Sequence, residues 1–321
     1  MKLKPSARGI AAVPRGMRRP RARSVNRPAV PAPMIKRGAT MKISDHAYVI
    51  LDDNVGFVPN VGIVVGERAT LIVDTGMGPD NGAIVLEEAR KLSDNTDFYL
   101  TATHFHPEHD LGATAFPANA KMIRLARSAS GNRRARRAND RALPGFRRLS
   151  QRCWSKASYR KPDTVFDDEM TLDLGGVHVR LSGVGPAHTR GDTVMYVEED
   201  KVLLTGDVVM PVFPAASAQA ANIAQWLRAS QKFQAVRAAR RRAGARPAHR
   251  REDASLRYRE YLTAVQTQTR AAKRQGQSVE AAQAAIAPAL AQQFSDLAPQ
   301  GGAAATGRIN AAIQAAYREA P

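Results

Sequence analysis

The sequence predicts a mixed α/β layered domain, and three observations predict it. Short β-branched runs gather in two groups, one ahead of residue 104 and one between 171 and 206. A segment of helical spacing interrupts the first group, and the last third of the chain turns to Ala-, Gln- and Leu-rich composition. Strands, a helix, more strands and then helices make layers, not a bundle or a pure barrel.

Residues 1–40 mix Arg, Pro and Ala without apolar periodicity and read as a basic, disordered tail, with order beginning near Ile43. AYVILD (47–52), VGIVVG (61–66) and TLIVDTG (70–76) are strand-like runs broken by Gly, Asn and Pro. Residues 80–93 place Ile84, Leu86, Ala89 and Leu92 at helical spacing. DFYLTAT (97–103) is a strand that delivers the chain into HFHPEHD, and KMIRL (121–125) is another. TLDL (171–174), VHVRLS (177–182), TVMYVE (193–198) and KVLLTG (201–206) resume the strand pattern. NIAQWLRASQKFQAV (222–236) is helical, and the residues from Ser255 onward predict two or three helices of high-propensity residues. The division expected is a tail (1–40), a main domain (41–255) and a helical extension (256–321).

The net charge of +19 is concentrated. Residues 1–45 hold 12 Lys/Arg against Asp45, residues 121–161 hold 14 against Asp140, and Lys232–Arg251 holds eight with no acid. These runs lack the aromatic interleaving of a single-strand binder and any zinc-finger, helix-turn-helix or RNA-binding-sheet signature. They read as solvated segments and argue against nucleic acid as the partner, which is expected to be a small-molecule substrate. A single cysteine, Cys153, rules out an intramolecular disulfide and a cysteine metal site, and is read as an incidental thiol. No apolar run spans a bilayer, and the basic N-terminus has no apolar core of signal-peptide length. The expected location is therefore cytoplasmic, or periplasmic if the true start lies elsewhere.

Three of the seven histidines, His104, His106 and His109, fall within six residues, with Glu108 and Asp110 among them. An i, i+2 pair on extended chain sends both imidazoles to one side, and the turn through Pro107 brings Glu108 and His109 toward the same point. Neutral imidazole and carboxylate are zinc donors, with bonds of about 2.0–2.2 Å.

THFHPEHDLGA resembles the HxHxDH signature of the metallo-β-lactamase superfamily, with Glu108 where Asp is usual. TLIVDTGMG is similar to that family's early strand-plus-Asp motif, GPAHTRGDTVMYV to the segment giving its third histidine, and VLLTGDVVM to the strand ending in its bridging aspartate. The likeness covers about residues 43–260. It implies an αβ/βα four-layer sandwich with the site on one edge and a glyoxalase II-like relationship. The implied first zinc takes His104, His106 and His188. A second takes Glu108, His109 and a late histidine, with Asp207 bridging and Asp74 behind the ligands. Asp192 is read as a turn or supporting residue. The implied chemistry is hydrolysis of an ester-like bond (thioester, lactone or β-lactam) by a metal-bound hydroxide; with one metal, Glu108 becomes the general base.

The pattern breaks at the last ligand. The candidate, His249, sits in RRRAGARPAHRRED, where a run of Arg replaces an apolar strand and Ala248 replaces a glycine. Two origins fit this run and the segments 1–40 and 127–160: short frame errors in a GC-rich gene, or genuine basic insertions. Competing functions are a mononuclear iron oxygenase, since the ligand set does not choose zinc over iron, a nucleic-acid hydrolase, and a catalytically dead binding protein.

Overall fold

The computed structural model describes residues 33–53, 55–129, 158–210, 212–214, 216, 220–242, 252–298 and 303–321. The readings of Cys153 and His249, and of most of 127–160, fall outside the described residues.

Seven strands form the first sheet in chain order: β1 (Thr40–Lys42), β2 (Ala47–Ile50), β3 (Val61–Val65), β4 (Thr70–Val73), β5 (Phe98–Thr101), β6 (Lys121–Leu125) and β7 (Thr164–Phe166). β1 to β4 run antiparallel, and β4 to β7 run parallel. The second sheet is an antiparallel meander of β8 (Glu169–Asp173), β9 (His178–Gly183), β10 (Thr193–Val197) and β11 (Val202–Leu204).

Side-chain alternation stacks the layers. Ile63, Ile72, Leu100 and Met122 pack with Ile84 and Val85 of α1 (Gly78–Arg90) on one face of the first sheet. Val64, Leu71, Val73 and Ile123, on its other face, meet Val179, Leu181, Met195 and Val197 of the second sheet. Because β3 and β4 are covered on both faces, they are almost wholly apolar, as buried strands require.

The outer face of the second sheet, through Val194, shares a third core with four helices: α3 (Ile223–Arg242), α4 (Glu252–Arg274), α5 (Val279–Gln293) and α6 (Ala303–Glu319), after the short α2 (Pro107–Asp110). The order helix, sheet, sheet, helix is the expected αβ/βα sandwich. Trp226, Tyr258, Tyr261, Leu290, Phe294 and Ile313 fill this core, so one apolar cluster runs across position 255. Helix ends carry ordinary signals. Ser278 caps α5 by accepting from Ala281 N at 3.2 Å, and Asn222 accepts from Gln225 N at 2.7 Å at the start of α3.

One expectation is corrected. The tail does not extend to residue 40: Ile35 is buried in the α1 core, and its amide donates to Asn81 Oδ1 at 2.7 Å. Asn81 in turn donates to Pro33 O at 2.9 Å, a tie that periodicity does not reveal. Arg240, Arg241 and Arg242 lie in α3, so the arginine run that stands where the resemblance has an apolar strand is continuous with a helix. Among the described residues no helix is long and apolar enough to cross a membrane.

Candidate metal centre

Every candidate donor among the described residues follows the carboxyl end of a strand. β4 ends in Asp74, which sits at φ +67°, a left-handed conformation that Asp tolerates better than most residues. β5 ends in the Thr103–Asp110 segment, β9 leads to His188, and β11 to Asp207. Backbone bonds from Asp74 N to Thr101 O (2.9 Å), Thr75 N to His109 O (2.8 Å) and Thr193 N to Thr103 O (2.8 Å) lash these ends together. Gly206, at φ +52°, brings Asp207 in close; a Cβ there would stand 2.5 Å from Thr103 Cβ.

Two overlapping donor trios result: His104, His106 and His188, and His104, His109 and Asp207, with the donor atoms of each within 4.8 Å of one another. His104 Nε2 lies 2.9 Å from His106 Nδ1, and His188 Nε2 lies 3.2 Å from the same atom. His109 Nε2 is 3.6 Å from Asp207 Oδ1, and His188 Nε2 is 3.7 Å from Asp207 Oδ2. Nitrogens bound tetrahedrally to zinc at about 2.0–2.1 Å stand roughly 3.3–3.4 Å apart, so the histidine spacing fits one ion between them.

The surroundings point these nitrogens inward. Asp74 accepts from Thr103 N at 2.8 Å and from Thr103 Oγ1 at 3.0 Å, and its Oδ2 faces His109 Nδ1 at 2.9 Å. Its carboxylate holds the proton of His109 on Nδ1, leaving Nε2 aimed at Asp207. Thr103 Oγ1 faces His104 Nδ1 at 3.1 Å and leaves His104 Nε2 to the centre. Asp192, buried, accepts from Ala187 N (3.0 Å), Thr189 N (2.8 Å) and Thr189 Oγ1 (2.7 Å), fixing the loop that presents His188.

Electrostatics suit donors. Burial, with the neighbouring histidines, pushes His104 well below the usual histidine range and His106 down to about 3, so both imidazoles are neutral, the form a metal would need. At His109 burial opposes charge, but the carboxylates of Asp74 and Asp207 outweigh it and raise the group to about 10. Burial likewise opposes the charge of Asp207, and His109, His188 and His106 still hold it below the usual carboxylate range.

Of the residues expected from sequence, His104, His106, His109, His188 and Asp207 converge. Glu108 belongs to neither trio; its half-buried carboxyl lies in electrostatic reach of His109 and Asp207, and burial raises its pKa. His249 lies outside the described residues. His46 pairs with Asp200 and His178 with Glu199. Sequence reasoning missed Thr103, though its place between a strand and HxH was a usable signal. It also missed Trp226 as a neighbour of the centre, 6.3 Å ring to ring from His188, and Arg308, whose charge is felt at Asp207.

Comparison with known proteins agrees with this fold. Several solved structures share the fold. A double mutant of a sec-alkyl sulfatase superposes with a TM-score of 0.61 at 12% identity, over 88% of this chain and 50% of that one. A stereoselective inverting sec-alkylsulfatase from Pseudomonas sp. gives 0.59 at 12%, with the same coverage. A linear primary-alkylsulfatase from Pseudomonas sp. (strain ATCC 19151) is 37% identical over 60 residues, 19% of this chain and 11% of its own length. The chain thus spans about half the length of the two solved sulfatases and a smaller share of the curated one. The model of the metallo-beta-lactamase superfamily matches residues 54–246, more than half of the 321. The chain belongs to the metallo-beta-lactamase superfamily.

Proposed function

We propose that this protein is a metal-dependent hydrolase of a small-molecule ester and that the ester is a sulfate monoester of an alkyl alcohol. The observation that carries the hydrolase reading is the meeting of two donor trios on shared His104, with neutral imidazoles already turned inward. In this reading His104, His106 and His188 hold one ion, and His109 and Asp207 hold a second beside it; zinc matches the nitrogen and carboxylate donors. When bound, such ions supply Lewis acidity toward an ester oxygen and acidify water in the site.

The remaining steps fall to the chain's own groups. Asp74 fixes His109 through Nδ1, and Asp192 fixes the His188 loop, so the donors are set before substrate arrives. Glu108, its carboxyl made less acidic by burial, is placed to give a proton to the departing alcohol or accept one from water. Arg308 donates through Nη1 to Phe213 O at 2.8 Å, which anchors a cation near Asp207 for the sulfate charge. The net reaction is an alkyl sulfate plus water giving the alcohol and hydrogen sulfate.

Support for sulfate over carboxylate esters comes from two directions. The shape likeness to the two sec-alkylsulfatases covers 88% of the 321 residues, more than the 251 that precede α4, so it reaches into the C-terminal helices as well. The short stretch of 37% identity is also to an alkylsulfatase.

The test is a substrate panel on purified protein of measured metal content: an alkyl sulfate, a thioester, a lactone and a β-lactam. Sulfate release that disappears in His106→Ala and after chelation, and returns with zinc, is the expected result. Turnover of the thioester or β-lactam with no sulfate release would overturn the sulfate reading. Iron as the resident metal would overturn the choice of zinc.

A further inference from the structure

Pro186 and Arg190, two residues to either side of His188, line a cavity of about 600 Å³ whose lining includes none of the metal-centre residues. Three arginines from three separate parts of the chain share this lining: Arg127 after β6, Arg190 in the β9–β10 loop and Arg318 in the last turn of α6. The single acid among the described lining residues, Glu319, is already committed. Its two carboxylate oxygens accept from Ile223 N at 2.6 Å and Ala224 N at 2.9 Å, closing the start of α3. That arrangement satisfies the helix end from within the chain, and among the described lining residues the remaining charged groups are guanidiniums.

Two of these arginines are held in place by contacts within the chain. Arg318 Nη2 donates to Ala221 O at 3.3 Å. Arg127 Nη2 reaches Asp168 Oδ1 at 3.3 Å, and the two side chains are 56% and 83% exposed, so water screens that pair. Beside the charges, Pro186 and Ala221 give the cavity an apolar surface. The volume falls within the range of about 300–1,000 Å³ typical of small-molecule sites, larger than a bare inorganic ion needs.

We infer that this cavity is a binding site for a small organic oxyanion, a carboxylate, sulfonate or phosphate carried on a short apolar body, held by Arg127, Arg190 and Arg318. Guanidinium groups pair with such oxyanions through two parallel N–H donors, which a lysine cannot reproduce. The site needs no metal and stands apart from the hydrolase reading.

Isothermal titration of the full chain, as purified and again after chelation, tests it with 1-octanesulfonate, octanoate and octyl phosphate as probes at low ionic strength. At least one probe is expected to bind in both states, with affinity reduced about tenfold or more in an Arg190→Ala/Arg318→Ala variant. Arg190→Lys should recover only part of it. Metal content and melting temperature, measured on the same samples, should match wild type, since both side chains are exposed. The ranking of the three probes identifies the oxyanion. Absence of saturable binding to wild type, unchanged affinity in the double variant, or binding that vanishes with the metal would each overturn the inference.

Discussion

Replacing Asp74 with Asn is the sharpest test of how this centre is built. Asn occupies the left-handed conformation at φ +67° as readily as Asp and is nearly isosteric, so the fold should survive. With its carbonyl kept on Thr103 N, as Oδ1 is at 2.8 Å, its amide NH2 falls where Oδ2 now faces His109 Nδ1 at 2.9 Å. Two donors cannot share that contact. His109 Nδ1 must become an acceptor, and its proton moves to Nε2, the atom that lies 3.6 Å from Asp207 Oδ1 and belongs to the second trio. A metal then binds only against that tautomer. Loss of such an outer partner typically weakens metal binding about 10–100-fold, or roughly 1.4–2.7 kcal/mol. Asp74 touches the first trio at one remove, through Thr103 Oγ1, which faces His104 Nδ1 at 3.1 Å and can keep that contact beside Asn, so the first trio should keep its affinity within about threefold. Stepwise zinc titration against a chromophoric chelator, with metal counted by plasma mass spectrometry, resolves the two. Equal loss at both sites, or loss at neither, would refute the assignment of Asp74 to His109.

Three further perturbations follow from the same structure. Gly112→Ala places a Cβ 2.0 Å from the Thr75 carbonyl oxygen, a clash with backbone beside the HxH segment, and should destabilise by about 3 kcal/mol or more in urea unfolding. Arg160→Met removes a guanidinium that donates to the carbonyls of Ala113, Phe116, Pro117, Ala118 and Ala120. It should lower stability by about 2–3 kcal/mol, with Arg160→Lys recovering little of it. Asp200 links the two sheets by accepting from Ser44 Oγ (2.5 Å) and His46 N (2.8 Å). Burial opposes its charge, yet those hydrogen bonds hold its pKa below the usual value. A depressed carboxylate contributes stability that is complete above its unfolded pKa, about 3.9, and is lost as pH falls toward the folded value. Asp200→Asn should therefore flatten the acid side of the stability profile while leaving the alkaline side unchanged.

Much of the fold was legible because local pattern and final environment agree. VGIVVG and TLIV are apolar on both faces since each strand is covered by α1 on one side and the second sheet on the other. VHVRLS alternates since its second face is partly exposed. The strands that escaped, Thr40–Lys42 and Thr164–Phe166, are three residues long and half-exposed, too short to establish a period. Ile35 escaped for a different reason. One apolar residue among prolines and arginines carries no periodic signal, and its place is set by Asn81, 46 positions away in the chain.

The donors of the centre were legible because a strand end, a short turn and a run of histidines are adjacent in sequence. The outer wall was not, because it is assembled from distance. Trp226 lies 6.3 Å from the His188 ring and 5.8 Å from the Tyr258 ring, and its indole N–H is fixed on Val208 O at 2.8 Å. From the sequence these residues were ordinary apolar members of helices, which is also what they are: nothing in helical spacing separates a side chain that fills a core from one that backs a ligand. The same holds for Arg308, an unremarked cation on an Ala-rich helix until the Phe213 carbonyl and Asp207 give it a position. The C-terminal helices, read from sequence as an extension of the main domain, are packed against the loop that carries His188. In the proposed reading the charge of Arg308 bears on Asp207 from the last helix of the chain, a separation over which a sequence pattern records each partner's character but not their meeting.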